Sequence, residues 1–215
     1  MRWTAVAASG FAIAAVVAVA AGFGLADDRK ASYVGDKKCV QCHYKQHSTW
    51  KKTVLAKSLD TLRPVKEADD KALFDARKKA NSDPAKDYTS DPKCLACHTT
   101  GYGKDGGYPE KITDENRKAA EAMGSVSCEA CHGPGSIYLE YKKQKKEAVK
   151  KENEAKKEGE PKPEATFTKE EFAKVGLVLP TAETCKACHN KDAPSQPATP
   201  FNFEEAKAKV HEHVK

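Results

Sequence analysis

The chain is poor in the residues that usually build a core: aromatics make up 7% of its 215 residues, with two tryptophans and two methionines. Large aliphatics are sparse, and 32% of the residues are charged. Such a chain struggles to bury enough apolar surface to offset the entropy of ordering itself, so a core made of its own side chains alone is excluded. No stretch sustains the apolar–polar alternation of a strand, which excludes a sandwich or barrel. Neither sign of charge dominates, since the formal net charge is +6, or +5 once Arg2 is removed. That mild balance gives no reason to expect a nucleic-acid partner. No cysteine is spare either, because all eight fall within four copies of one pentapeptide.

Those copies are CVQCH at 39–43, CLACH at 94–98, CEACH at 128–132 and CKACH at 185–189. Two cysteines three apart with a histidine directly after the second form the c-type haem attachment signal. One helical turn brings residues i and i+3 onto a common face, so both thiols can reach the two vinyl groups on one porphyrin edge. The adjacent histidine then lies under the ring and offers its imidazole to the iron. Paired CxxC motifs can instead build a zinc site, and a single one can be a thiol–disulfide redox centre, but neither explains a histidine after every second cysteine. The expected cofactors are four haem c groups: Cys39, Cys42, Cys94, Cys97, Cys128, Cys131, Cys185 and Cys188 tether them, and His43, His98, His132 and His189 are the proximal ligands. Four large apolar bodies would supply much of the missing core. The expected fold is mainly α, irregular and wrapped around the haems, with little or no β.

Residues 1–26 read as a targeting segment: Arg2 is the positive flank, Thr4 to Ala26 carry no charge, and Gly24-Leu25-Ala26 resembles a small-residue cleavage site. The apolar run is also long enough to span a bilayer, so a cleaved signal peptide and a retained anchor at residues 3–26 both remain open. Either way residues 27–215 form one exported haem domain. A helical stretch is expected from Gly35 to about Leu62, ended by Arg63-Pro64, and an amphipathic helix over 66–80 with Leu73 and Phe74 inward. The glycine-rich GYGKDGGYP at 101–109 lacks the Lys-Ser/Thr of a P-loop, so a turn over a haem edge fits better. Further helices are expected near 114–123, from Ser136 to about Glu158, after a Thr168-x-x-Glu171 capping box, and over 203–213. Residues 142–164 are nearly pure Lys and Glu and read as a solvated helix or linker.

Four irons have eight axial positions, and the proximal histidines fill four. Only His47, His211 and His213 remain as histidine candidates for the distal positions. His47 follows His43 by one turn and so serves a neighbouring haem or none. His211 and His213 are two apart and point to nearly opposite sides of a helix. Met123 is either a thioether ligand or a core residue.

The chain resembles the tetrahaem cytochrome c-554 family. The resemblance rests on the first motif followed by Trp50-x-x-Thr53, on DPAKDYTSDPKCLACHTTGYGKDGGYP at 83–109, on VSCEACHGPGS at 126–136 and on TPFNFEE at 199–205. It covers most of residues 35–215. It implies a mostly helical periplasmic protein whose haems pack in close pairs, with the iron of the second motif, held here by His98, five-coordinate. This chain departs from the family at three places: Leu55, Lys142 and the Leu179-Pro180 stretch stand near positions where the family carries distal ligands.

The leading expectation is a periplasmic electron carrier between a donor oxidoreductase and an acceptor cytochrome or membrane complex, touching the membrane only if the N-terminal segment is retained. No acid–base constellation appears elsewhere, so no catalytic residue is assigned. Reduction of a small ligand such as nitric oxide at a five-coordinate haem is the alternative, and a haem subunit of a larger electron-transfer complex is the third.

Overall fold

The computed structural model describes residues 30–194 and 201–211. The targeting segment at 1–26, His213 and most of the link before the last helix lie outside the described residues. Among the described residues there are helices and turns but no strand. The helices are α1 (Asp36–Cys39), α2 (Tyr44–Trp50), α3 (Lys71–Lys79), α4 (Pro92–His98), α5 (Arg117–Met123), α6 (Cys128–His132), α7 (Ser136–Glu154), α8 (Lys169–Lys174), α9 (Ala182–Lys186) and α10 (Phe203–Val210), with 3₁₀ turns at Val54–Lys57 and Asp60–Leu62. Among the described residues no helix is long and apolar enough to cross a membrane.

Most elements are short because their ends are marked chemically. The stretch expected to be helical to Leu62 is interrupted after Cys39 and again after Trp50. In the second region the helix starts at Lys71 rather than Lys66, because the Asp70 carboxylate caps it by accepting from the Leu73 N–H at 2.9 Å. Its buried residue is Arg77, with Leu73 and Phe74 half-buried. The expected box at Thr168 is present, with Thr168 and Glu171 each accepting from the other's backbone N–H. The Lys/Glu run is helical only as far as Glu154. The last helix ends at Val210.

The core is small. Leu62, Leu95, Tyr108, Ala120 and Met123 form its buried cluster, with Tyr33, Leu59, Tyr88 and Tyr102 packed on it. Met123 is 4% exposed within this cluster. The glycine-rich loop closes on itself, with Tyr108 N–H donating to Thr100 O and Gly103 N–H to Tyr108 O. It packs on Tyr33, whose N–H donates to Asp105 O.

Long-range polar bonds do the remaining work. Arg77 is 7% exposed and donates to the carbonyls of Thr61, Arg63, Pro84 and Lys86, gathering two loops around α3. Trp50 Nε1–H donates to Val126 O at 3.0 Å, tying the end of α2 to the approach of the third motif.

Candidate haem-attachment sites

Each pentapeptide lies on or beside a short helix. The second fills the C-terminal part of α4, which Asp91 caps by accepting from Lys93 N–H and Pro92 starts. The third is α6 itself, stopped by Gly133 at φ +80°, a left-handed conformation that suits glycine. The first straddles the end of α1, and the fourth the end of α9.

The four sites are neighbours in space, although up to 146 residues separate them along the chain. The Cys39 thiol of the first motif and the Cys128 thiol of the third lie close enough to shift one another, Cys39 above the ordinary thiol range and Cys128 below it. Cys97 of the second motif and Cys188 of the fourth are likewise close, and the neighbouring thiol lowers Cys97 to about 7. Cys131 of the third motif senses Cys185 of the fourth electrostatically. Proximity therefore runs from the first motif to the third, then the fourth, then the second. None of the eight cysteines is in a disulfide. Among the described residues no group of three or more Cys, His, Asp or Glu side chains converges to hold a metal ion.

Two of the motif histidines are oriented by backbone carbonyls. His98 Nδ1 lies 2.8 Å from Ser58 O, and Ser58 Oγ in turn donates to His98 O at 2.7 Å. His132 Nδ1 lies 3.0 Å from Val178 O, while Val178 N–H donates to His132 O at 2.9 Å. A carbonyl can only accept, so each Nδ1 carries the proton and each Nε2 keeps its lone pair, the tautomer an iron ligand requires. Burial keeps both imidazoles below their ordinary pKa and so favours the neutral form. The residues present therefore fit haem. His43 and His189 are more exposed, and His189 stacks on Phe201 with ring centres 4.5 Å apart.

The remaining histidines fall in different surroundings. His47 Nε2 is 2.7 Å from Asp36 Oδ2 and its ring lies 5.4 Å from that of Trp50, so it links α2 to α1. His211 faces His132, with ring centres 6.4 Å apart and planes 26° from parallel.

One residue with no recognisable signature holds two sites together. Glu129 lies inside the third motif and is 1% exposed. Its carboxylate accepts from the N–H groups of Val34, Gly35 and Gly135, so it joins the segment before the first motif to the turn after the third. A glutamate between two haem-binding cysteines reads as a surface residue, and nothing in its neighbours marks it otherwise.

A strandless helical scaffold with clustered CxxCH motifs and carbonyl-oriented histidines defines a c-type cytochrome. Residues 38–133 match the family described as cytochrome c554 and c-prime. Cytochrome c-554 of Nitrosomonas europaea is 35% identical over 228 residues, spanning 97% of this chain and 86% of the relative. The reduced-state structure of cytochrome c554 from Nitrosomonas europaea superposes with a TM-score of 0.57 at 33% identity, covering 86% of this chain and 80% of that one. The chain belongs to the cytochrome c-554 family: it is a haem-binding c-type cytochrome of electron transport.

Proposed function

We propose that residues 27–215 carry four covalently attached haems and act as an exported carrier, passing single electrons between a donor oxidoreductase and an acceptor cytochrome or membrane complex. The observation that carries this reading is the proximity of the motifs, first to third to fourth to second, with α6 packed on α1. When bound, each haem supplies a one-electron couple at its iron. The chain's own part is to hold the four attachment sites side by side. Cys39 against Cys128 and Cys97 against Cys188 fix two close pairs. Cys131 near Cys185 brings the pairs together.

His98 and His132 are the best-held proximal ligands, because Ser58 O and Val178 O fix their tautomers. His132 and His211, with ring centres 6.4 Å apart, are the two imidazoles that would hold one iron between them if their Nε2 atoms turned towards it. His47, held by Asp36, buttresses α1 instead of ligating a second iron. Exposed apolar side chains next to the motifs, among them Tyr44 after the first and Val178 and Leu179 beside His132, suit burial against porphyrin faces.

The test is stopped-flow mixing of the oxidised, haem-loaded protein with a reduced c-type or quinol-linked donor, alongside a potentiometric titration. Fast reduction of all haems at respiratory potentials is expected. Slow exchange with every such donor, combined with steady turnover of nitric oxide by the reduced protein, would replace the carrier by a reductase.

A further inference from the structure

Among the described residues one acidic and one basic side chain are buried, Glu129 and Arg77. Neither is matched by an opposite charge. Glu129 accepts from the N–H groups of Val34, Gly35 and Gly135, and Arg77 donates to the carbonyls of Thr61, Arg63, Pro84 and Lys86. Taking a charge out of water is costly unless its polar atoms find partners. Here the partners are backbone groups, which satisfy the hydrogen bonds and leave the net charge in place. With little water near it, such a charge acts over a longer range than one on the surface.

The two charges belong to different attachment sites. Glu129 lies between Cys128 and Cys131 on α6, which packs on α1 of the first motif. Its charge is felt at Cys39 and Cys128. It also reaches Tyr138, whose phenol is pushed up by burial first and by Cys39 and Glu129 after it. Arg77 stands by the second motif, where His98, kept neutral first by burial, also senses the guanidinium. Other charges near the first site are offset. Asp36 is tied to His47 at 2.7 Å. Lys142 Nζ lies 3.0 Å from Cys42 Sγ, but Cys42 is the exposed cysteine, and water and salt screen a charge there.

We propose that the Glu129 carboxylate is a potential-setting charge: it lowers the reduction potentials of the haems tethered at Cys39 and Cys128 and leaves those of the second and fourth motifs nearly untouched. Ferric haem carries one more positive charge than ferrous haem, so a fixed negative charge beside it favours the ferric form. No bond forms or breaks, and Glu129 keeps its charge in both oxidation states. Arg77 acts in the opposite sense at the second site. Within the run, an electron is thereby biased away from the first and third sites and towards the iron held by His98.

The inference rests on the haem-carrying reading above, and its test separates the two. The parent, Glu129→Gln and Glu129→Asp proteins are first checked by intact mass for four haems, then titrated potentiometrically. Glu129→Gln removes the charge and keeps the shape. It should raise two of the four couples, each by roughly tenfold in the ferric–ferrous equilibrium, about 59 mV for one electron, and leave the other two in place. Glu129→Asp keeps the charge and should stay near the parent's potentials even where it loses stability. If Glu129→Gln moves no couple or all four alike, or if Glu129→Asp raises them as much, the glutamate is only a structural tie and the proposal fails while the carrier stands. Should the Gln variant not hold four haems, redox-difference infrared spectra of the parent labelled with ¹³C-glutamate decide. A ¹³C-sensitive carboxylate stretch that shifts on reduction, with no protonated acid formed, is expected; no such shift, or a protonated acid, overturns the proposal. A parent protein of bare polypeptide mass overturns both readings.

Discussion

Glu129 shows how much can depend on one side chain. Its carboxylate accepts from three backbone N–H groups at 2.6–3.1 Å in a site almost closed to solvent. Glu129→Ala strands those donors without water and is expected to cost about 3–5 kcal/mol, each unmet buried donor being worth about 1–3. Glu129→Gln keeps one acceptor oxygen and should lose about half as much. Urea midpoints of the haem-loaded variants at constant slope measure both. The sequence makes Cys39, His43 and their ten counterparts legible because their chemistry imposes a fixed spacing. Glu129 and Arg77 were not legible. Each is a charged residue in a polar-looking stretch, and its partners are carbonyls or N–H groups that only the tertiary fold brings within reach. Met123 was legible only as a choice between ligand and core, and its burial among Leu62, Leu95 and Tyr108 puts it in the core.

Among the elements, α7 and α8 are joined by polar and aromatic contacts together. Phe172 of α8 receives the edges of Tyr138 and Tyr141 from α7, and Lys145 Nζ lies 2.5 Å from Glu171 Oε1. The Lys145 hydrogen bond first, and the Thr168 N–H second, hold Glu171 below the ordinary carboxylate range. Because the folded pKa is depressed, the unfolded chain takes up this proton first on acidification. The stabilisation is therefore complete above about pH 4.3, the ordinary glutamate value, and lost as pH falls through the folded value. Glu171→Gln should lower the urea midpoint at pH 7, where the carboxylate's stabilisation is complete, and differ less from the parent at pH 3, so that the acid limb of the stability curve flattens. The glycine-rich loop is a second element with a sharp constraint: a Cβ on Gly107 would sit 2.0 Å from Gly101 O. Gly107→Ala is expected to cost about 2–3 kcal/mol by the same urea assay, the range for overpacking a closed site. The capping box at Thr168 was readable from four residues. The true start of α3 was less so, because Glu67 and Asp69 suit a first helical turn as well as Asp70 suits a cap.

At the scale of the whole molecule, the apolar cluster around Leu62 and Met123 is small for a chain of this length. The four attachment motifs, from distant parts of the sequence, meet in one connected run. The helical class, the haem chemistry and the family were therefore open to a reader of the sequence. The order of proximity was not, since α6 packs on α1 and Cys188 comes close to Cys97 only through the tertiary fold, and no local pattern encodes that. The most direct test is intact mass spectrometry of the mature protein expressed where c-type haem is attached. A mass equal to the polypeptide plus four haems is the predicted result. Bare polypeptide, or polypeptide plus zinc, would contradict the account at its root.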